Sequence, residues 1–147
     1  MPTIYTIGTT QKSLEQFVTS LQQAQVDAVI DVRLRNTSHL AGFAKRDDLA
    51  FLLRQGFGIA YEHHPDLAPT ADILDAFRDD GDWDTYTDAY LPLMATRRAE
   101  DTGRALLDRY ARPCLLCAEP AAARCHRRLL AEYWARHIPE LHIVHLE

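Results

Sequence analysis

The chain has 147 residues, of which 47% are hydrophobic and 25% are charged, and its formal net charge is −5 at pH 7. This length and composition predict one globular domain, residues 1–147, with a sizeable buried core. The acidic charge excludes broad electrostatic attraction to nucleic acid, and no apolar run approaches the ~20 residues that cross a bilayer, so we expect no membrane partner.

The first half of the chain alternates short apolar runs with helical patterns. Residues 3–7 form a β-rich run that ends at Gly8, and Ser13 begins a capping box ahead of a helix. Residues 28–32 form a second strand pattern, and its run over 29–32 lacks alternation, which is typical of a strand covered on both faces. Three elements follow in order: a loop over 34–44, a helix over 47–55 and a weaker strand over 59–62.

The second half contains the longer helical patterns. Residues 73–110 have helical periodicity, with breaks expected near Gly81 and Gly103, and Pro92 is expected to kink or end a helix. The last three elements are a strand over 114–118, a helix from about Pro120 to His137 and a strand over 142–146.

Strands that alternate with helices predict a single α/β domain, with helices on both faces of a mainly parallel five-stranded sheet. We expect the strand order 3-2-1-4-5. In such sheets ligands bind beyond the carboxyl ends of the strands. Polar residues follow four of the predicted strands: Gly8, Thr9 and Thr10; Asp31 and Arg33; Glu62, His63 and His64; and Cys117 and Glu119.

Residues 117–128 bring together two thiols, a carboxylate, an imidazole and three guanidinium groups, at the turn after the fourth strand and at the start of the last helix. A helix N-terminus at this point favours anions and thiolates. Cys117 or Cys125 is the candidate nucleophile, and Glu119 or Asp31 is the candidate proton carrier. The candidates for binding an anionic ligand are Gly8, Thr9, Thr10, Arg33, Arg124, His126 and Arg127.

Two motifs are distinctive: Asp31-Val32-Arg33, and Cys117-Ala118-Glu119 followed by Cys125-His126-Arg127. Together with the segments 5–8, 59–61 and 144–146, they make nearly the whole chain similar to the domain-of-unknown-function family 488. This resemblance implies a small Rossmann-like α/β domain whose site lies at the two motifs. It implies no activity, because none is established for the family.

Each candidate also has a purely structural interpretation. Asp31 and Arg33 are two residues apart on a strand and therefore share one face. In the functional interpretation both bind a polar ligand. In the structural interpretation Asp31 caps a loop and Arg33 pairs with Glu62 or Glu119. Such ion-pair networks perturb charged groups as much as active sites do.

The cysteines are compared with three known patterns. Cys114 is expected in the core, and Cys117 is either reactive or simply buried. Phosphatase-type loops have one residue fewer than the six between Cys117 and Arg124, and rhodanese-like loops fit worse. A structural zinc site needs four ligands, whereas Cys117, Cys125 and His126 supply three. A catalytic zinc site with an open position, which needs only three protein ligands, stays open as the lesser alternative. We assign no metal and no cofactor.

Two functions remain open at this stage. The first is an enzyme that acts on a small anionic ligand, nucleotide-like or phosphorylated. The second is a non-catalytic module that binds or senses a ligand or nucleic acid in the same pocket, although the net charge does not support nucleic acid. Three cysteines within 114–125 and no signal-peptide pattern favour the cytoplasm.

Overall fold

The alternating elements form an all-parallel five-stranded sheet in a computed structural model that describes residues 2–147. The strands are β1 (Thr3–Gly8), β2 (Ala28–Asp31), β3 (Ala60–His63), β4 (Pro113–Cys117) and β5 (His142–Leu146). The helices are α1 (Leu14–Gln23), α2 (Arg46–Phe57), α3 (Ala71–Asp80), α4 (Trp83–Thr96), α5 (Ala99–Arg109) and α6 (His126–His137), with short 3-10 turns at His39–Ala44 and Pro65–Leu67.

The predicted α/β class and parallel sheet are confirmed, but the predicted strand order is wrong. The observed order is β3-β2-β4-β1-β5, so β4 lies between β2 and β1 rather than outside β1. Leu115 is aligned with Ile30 on one side and with Thr6 on the other. Every residue of β4 is buried, whereas no residue of β5 is buried. A strand that is covered on both faces and both edges belongs in the centre of a sheet.

Two hydrophobic clusters, one on each face of the sheet, make three layers. The capping box of α1 is confirmed, since Ser13 and Gln16 exchange side-chain to backbone hydrogen bonds. The helices α1 and α2 cover one face through Phe17, Leu21, Leu49 and Leu53. The helices α4, α5 and α6 cover the other face through Tyr90, Met94, Leu106 and Trp134.

Of the two helix breaks predicted within 73–110, one is confirmed and the other is wrong. Gly81 ends α3 in the left-handed conformation, as expected. The next break lies at Arg98 instead of Gly103. Pro92, which was expected to kink or end a helix, lies within α4 and does not end it. Gly103 lies inside α5, where its role is to make room for Trp134 rather than to end a helix. A Cβ added at Gly103 would lie 2.7 Å from the indole ring.

The last helix begins later than predicted. α6 starts at His126 rather than near Pro120, and residues 118–125 form an irregular loop ahead of it. No helix within residues 2–147 combines the length and the apolar character needed to cross a membrane.

The contact between α5 and α6 gives the first prediction. Gly103→Ala should lower the free energy of unfolding by about 1–3 kcal/mol, because the methyl group overpacks the buried Trp134 ring. The matched control is Gly56→Ala, also within a helix, where the nearest atom to the new Cβ is a leucine methyl at 3.5 Å. This control should be neutral or slightly stabilising. Equal effects in urea denaturation would contradict the proposed role of Gly103.

Candidate functional site

A cleft of about 240 Å³ opens at the carboxyl end of the sheet. β2 leads to α2 on one face, whereas β4 leads to α6 on the other. Because β2 and β4 are neighbours, the chains leaving them diverge and leave a crevice, which is where ligands bind in open α/β sheets. The helix α3 forms the outer wall of this cleft.

Cys117, the last residue of β4, lies at the base of the cleft. A hydrogen bond from the Cys125 thiol is the largest effect on Cys117 and lowers its pKa. Burial opposes this, but the backbone N–H groups of Ala118 and Glu119 and the charge of Arg127 add to the lowering. The net result is a thiol that ionises more readily than a free cysteine.

His126, the first residue of α6, is oriented toward this thiol. Its Nε2 lies 2.6 Å from the carbonyl oxygen of Val32. A carbonyl can only accept, so Nε2 carries the hydrogen and Nδ1 is the free acceptor. Nδ1 lies 3.6 Å from Sγ of Cys117. The backbone at the end of β2 thus fixes the tautomer that can take a proton from Cys117.

Cys125 completes a cluster of three. Its donation to Cys117, followed by burial, raises the pKa of Cys125 well above its usual value. The sulfur atoms of both cysteines and a ring nitrogen of His126 lie within 4.8 Å of one another. No other group of three potential metal ligands occurs within residues 2–147. Two thiolates and an imidazole could hold a soft cation such as Zn²⁺ in a three-ligand site.

The end of β1 holds the loop that carries Cys117. The N–H groups of Thr9 and Thr10 donate to the carbonyl oxygens of Cys117 and Ala118, at 3.1 and 3.0 Å. Gly8 permits this approach, because a Cβ there would lie 1.8 Å from the carbonyl oxygen of Glu119. These contacts hold residues 117–119 against the end of β1 and outside a helix, which explains in part why α6 begins so late.

Arg127 binds the same loop from the interior of the protein. Its side chain is fully buried and donates to the carbonyl oxygens of Glu119 and Pro120 and to Oγ1 of Thr6. Carbonyls committed to this guanidinium are unavailable to a helix starting at Pro120. Arg127 therefore positions the loop and adds positive charge near Cys117, but it does not line the cleft.

A buried ion pair supports the opposite wall. The Nε and Nη2 atoms of Arg33 donate to the two carboxylate oxygens of Asp31 at 2.9 and 2.7 Å, and Asn36 and Tyr61 also donate to this carboxylate. Burial alone would raise the pKa of Asp31, but these bonds, chiefly from Arg33, lower it. Arg33 therefore pairs with Asp31, and not with Glu62 or Glu119.

Four arginines and several apolar residues line the cleft. Arg33 keeps Nη1 unbonded to any residue of 2–147, and Arg35 is bonded to the exposed Asp75. The other two arginines are Arg78 and Arg124. The apolar residues of the cleft are Leu34, Pro69, Leu74, Phe77 and Tyr86.

The structure separates the sequence candidates into two groups. The following line the cleft: Arg33, Cys117, Glu119, Arg124, Cys125 and His126. The following do not line the cleft, and all but the exposed Thr10 are buried: Gly8, Thr9, Thr10, Asp31 and Arg127. Sequence reasoning missed Arg35, Arg78 and the apolar residues of α3. The helical spacing of Leu74, Phe77 and Arg78 was the only available signal.

Comparison with known proteins identifies the family. The model of the family described as Domain of unknown function DUF488 matches residues 13–134, which is most of the chain. The chain therefore belongs to this family. No curated protein and no solved structure matches it.

The Asp31–Arg33 pair gives the second prediction. Asp31→Asn should lower the free energy of unfolding by about 3–5 kcal/mol at neutral pH, because it leaves a buried guanidinium without its counter-charge. The matched control is Asp75→Asn, which removes an exposed partner of Arg35 and should leave stability unchanged within error.

Acid titration tests the same pair independently. The folded-state pKa of Asp31 is lowered, so its contribution to stability is complete above the unfolded pKa of about 3.9 and is lost as pH falls through the folded value. The wild type should therefore lose stability below about pH 4 more steeply than Asp31→Asn. Parallel curves would show that the pair does not stabilise the fold.

Proposed function

We propose that this DUF488 protein is a thiol-dependent enzyme that binds a small anionic substrate, phosphorylated or nucleotide-like, in the cleft and attacks it with Cys117. The observation that carries the proposal is the pairing of Cys117 with Nδ1 of His126, at 3.6 Å, at the base of a cleft lined by arginines. A thiolate beside a suitable base is an activated nucleophile.

The arginines supply recognition of the anion. Arg124 makes no hydrogen bond or ion pair with any residue of 2–147, so its guanidinium is free to bind a ligand in the cleft. Nη1 of Arg33 is free in the same way. A guanidinium binds phosphate or carboxylate in a planar, bidentate geometry. The substrate's anionic group then lies near Sγ of Cys117.

The chemical step follows from the tautomer of His126. Nδ1 accepts the Cys117 proton, and the thiolate forms a bond to the electrophilic centre of the substrate. The bond to the leaving group breaks with its electron pair, and the imidazolium returns the proton to that group. Water then releases the second product with His126 as base. Glu119, exposed at the rim, is the remaining candidate for carrying protons to solvent.

The second candidate is a binding module that uses the same cleft without turnover. The observation that favours it is the burial of Cys117, which is only 6% exposed. Such a module needs the arginines but not an ionised thiol. Cys117→Ser separates the two, since it removes turnover in the enzyme and leaves ligand binding unchanged in the module.

Alkylation of the cysteines gives the third prediction. At neutral pH iodoacetamide should modify Cys117 before Cys125 or Cys114, because the pKa of Cys117 is lowered whereas the pKa values of the other two are raised. Peptide mapping over time measures each site, and Cys117→Ser should remove the fast phase. Equal rates at all three sites, or fast modification of Cys125, would contradict the assignment of the nucleophile.

Binding of phosphate gives the fourth prediction. Inorganic phosphate and a nucleoside monophosphate should bind in titration calorimetry, and Arg124→Ala should raise Kd roughly tenfold, since a hydrogen bond to a charged group contributes about 1.5–3 kcal/mol. The matched control is Arg136→Ala, an exposed arginine at the far end of α6 that does not line the cleft. Absence of binding at millimolar concentration, or equal weakening by both variants, would contradict the anion site.

A further inference from the structure

We propose that Cys117 and Cys125 form a disulfide when the protein reacts with a hydroperoxide, with Cys117 oxidised first and Cys125 as the resolving thiol. This inference goes beyond the proposed function and does not depend on it, since it requires only the two thiols and their surroundings.

The placement of the two sulfur atoms is the first support. Both cysteines line the same cleft, and their sulfurs belong to the cluster whose members lie within 4.8 Å of one another. An S–S bond is about 2.05 Å long, so the sulfurs must move closer. Cys125 can supply this movement, because it lies at the junction of the loop 118–125 with α6 and its side chain makes no capping bond.

The unequal surroundings of the thiols assign their roles. Sγ of Cys117 lies 3.6 Å from Nδ1 of His126, the ring nitrogen that is free to accept the thiol proton because Nε2 donates to the Val32 carbonyl. Cys125 is the second thiol of the same cluster, within 4.8 Å. The thiolate is the form that attacks a peroxide, so Cys117 reacts first.

The reaction balances with a hydroperoxide as the only oxidant. The Cys117 thiolate forms a bond to the terminal peroxide oxygen as the O–O bond breaks, and the departing alkoxide takes a proton from the His126 imidazolium. Cys125 then loses its proton to His126 and attacks the sulfenic sulfur of Cys117. The S–S bond forms, the S–O bond breaks, and hydroxide leaves as water after taking that proton. Two thiols are oxidised by two electrons, and the peroxide is reduced to an alcohol and water.

Cys114 provides an internal control. It lies in the core on the face covered by α1 and α2, away from the cleft, and is fully buried. Burial also raises its pKa. It should therefore take no part in the reaction.

The experiment treats metal-free protein with hydrogen peroxide and then counts thiols after denaturation. The wild type should fall from three free thiols per chain to one, with the mass reduced by two hydrogens and the bridge mapped to Cys117 and Cys125. A reductant should restore all three. Cys125→Ser should instead accumulate a sulfenic acid on Cys117 that dimedone traps, and Cys117→Ser should form no bridge.

Three outcomes would overturn the proposal. One is a bridge that includes Cys114, and another is stepwise addition of oxygen to Cys117 in the wild type without a bridge. The third is Zn²⁺ retained by the purified protein at one ion per chain and lost in both Cys117→Ser and Cys125→Ser, since thiolates bound to zinc would be ligands instead of a redox pair. Zinc content is measured before the metal is removed.

Discussion

The site depends on the central position of β4 in the sheet. Because β4 lies between β2 and β1, the strand ends on both sides of Cys117 act on it directly. On one side the Val32 carbonyl orients His126, and on the other Gly8 permits the close approach of the loop. In the predicted strand order, β1 would separate β4 from β2. The Val32 carbonyl, which fixes the imidazole tautomer, would then lie too far from His126 to bind it.

The buried charges and the cleft charges have different roles. Arg127 and the Asp31–Arg33 pair are buried, and all their hydrogen bonds stay inside the protein. Arg127 donates to backbone carbonyls and to Oγ1 of Thr6, and Asp31 accepts from Arg33, Asn36 and Tyr61, which leaves Nη1 of Arg33 free of any partner within residues 2–147. Buried ions of this kind need full compensation and contribute rigidity more than attraction. Arg124 and Arg78 lie on the wall of the cleft in contact with solvent and retain their capacity to bind an anion. An acidic protein can therefore present a locally cationic site.

The sequence predicted the fold class and most strands, because runs without alternation such as 28–32 and 114–118 are typical of strands buried on both faces. It also predicted the edge at which Cys117 and Arg33 meet. The strand order was not predictable, because the three helices between β3 and β4 are long enough to let β4 pair at several positions in the sheet. The true start of α6 was hidden as well, because the alanines of 121–123 favour a helix, and the tertiary bonds that Arg127, Thr9 and Thr10 make with the loop oppose it.

The insertion of β4 between β1 and β2 also determines how the protein can fold. β1 and β2 both pair with β4, which lies much later in the chain. Tyr5 of β1, for example, is aligned with Cys114 of β4. Contacts of such high sequence separation slow folding. Until they form, both strands expose unpaired backbone edges that can pair wrongly with each other or with another chain. The strand that ends at Cys117 is thus also the one that joins β1 to β2, so the central sheet and the base of the cleft form in the same step.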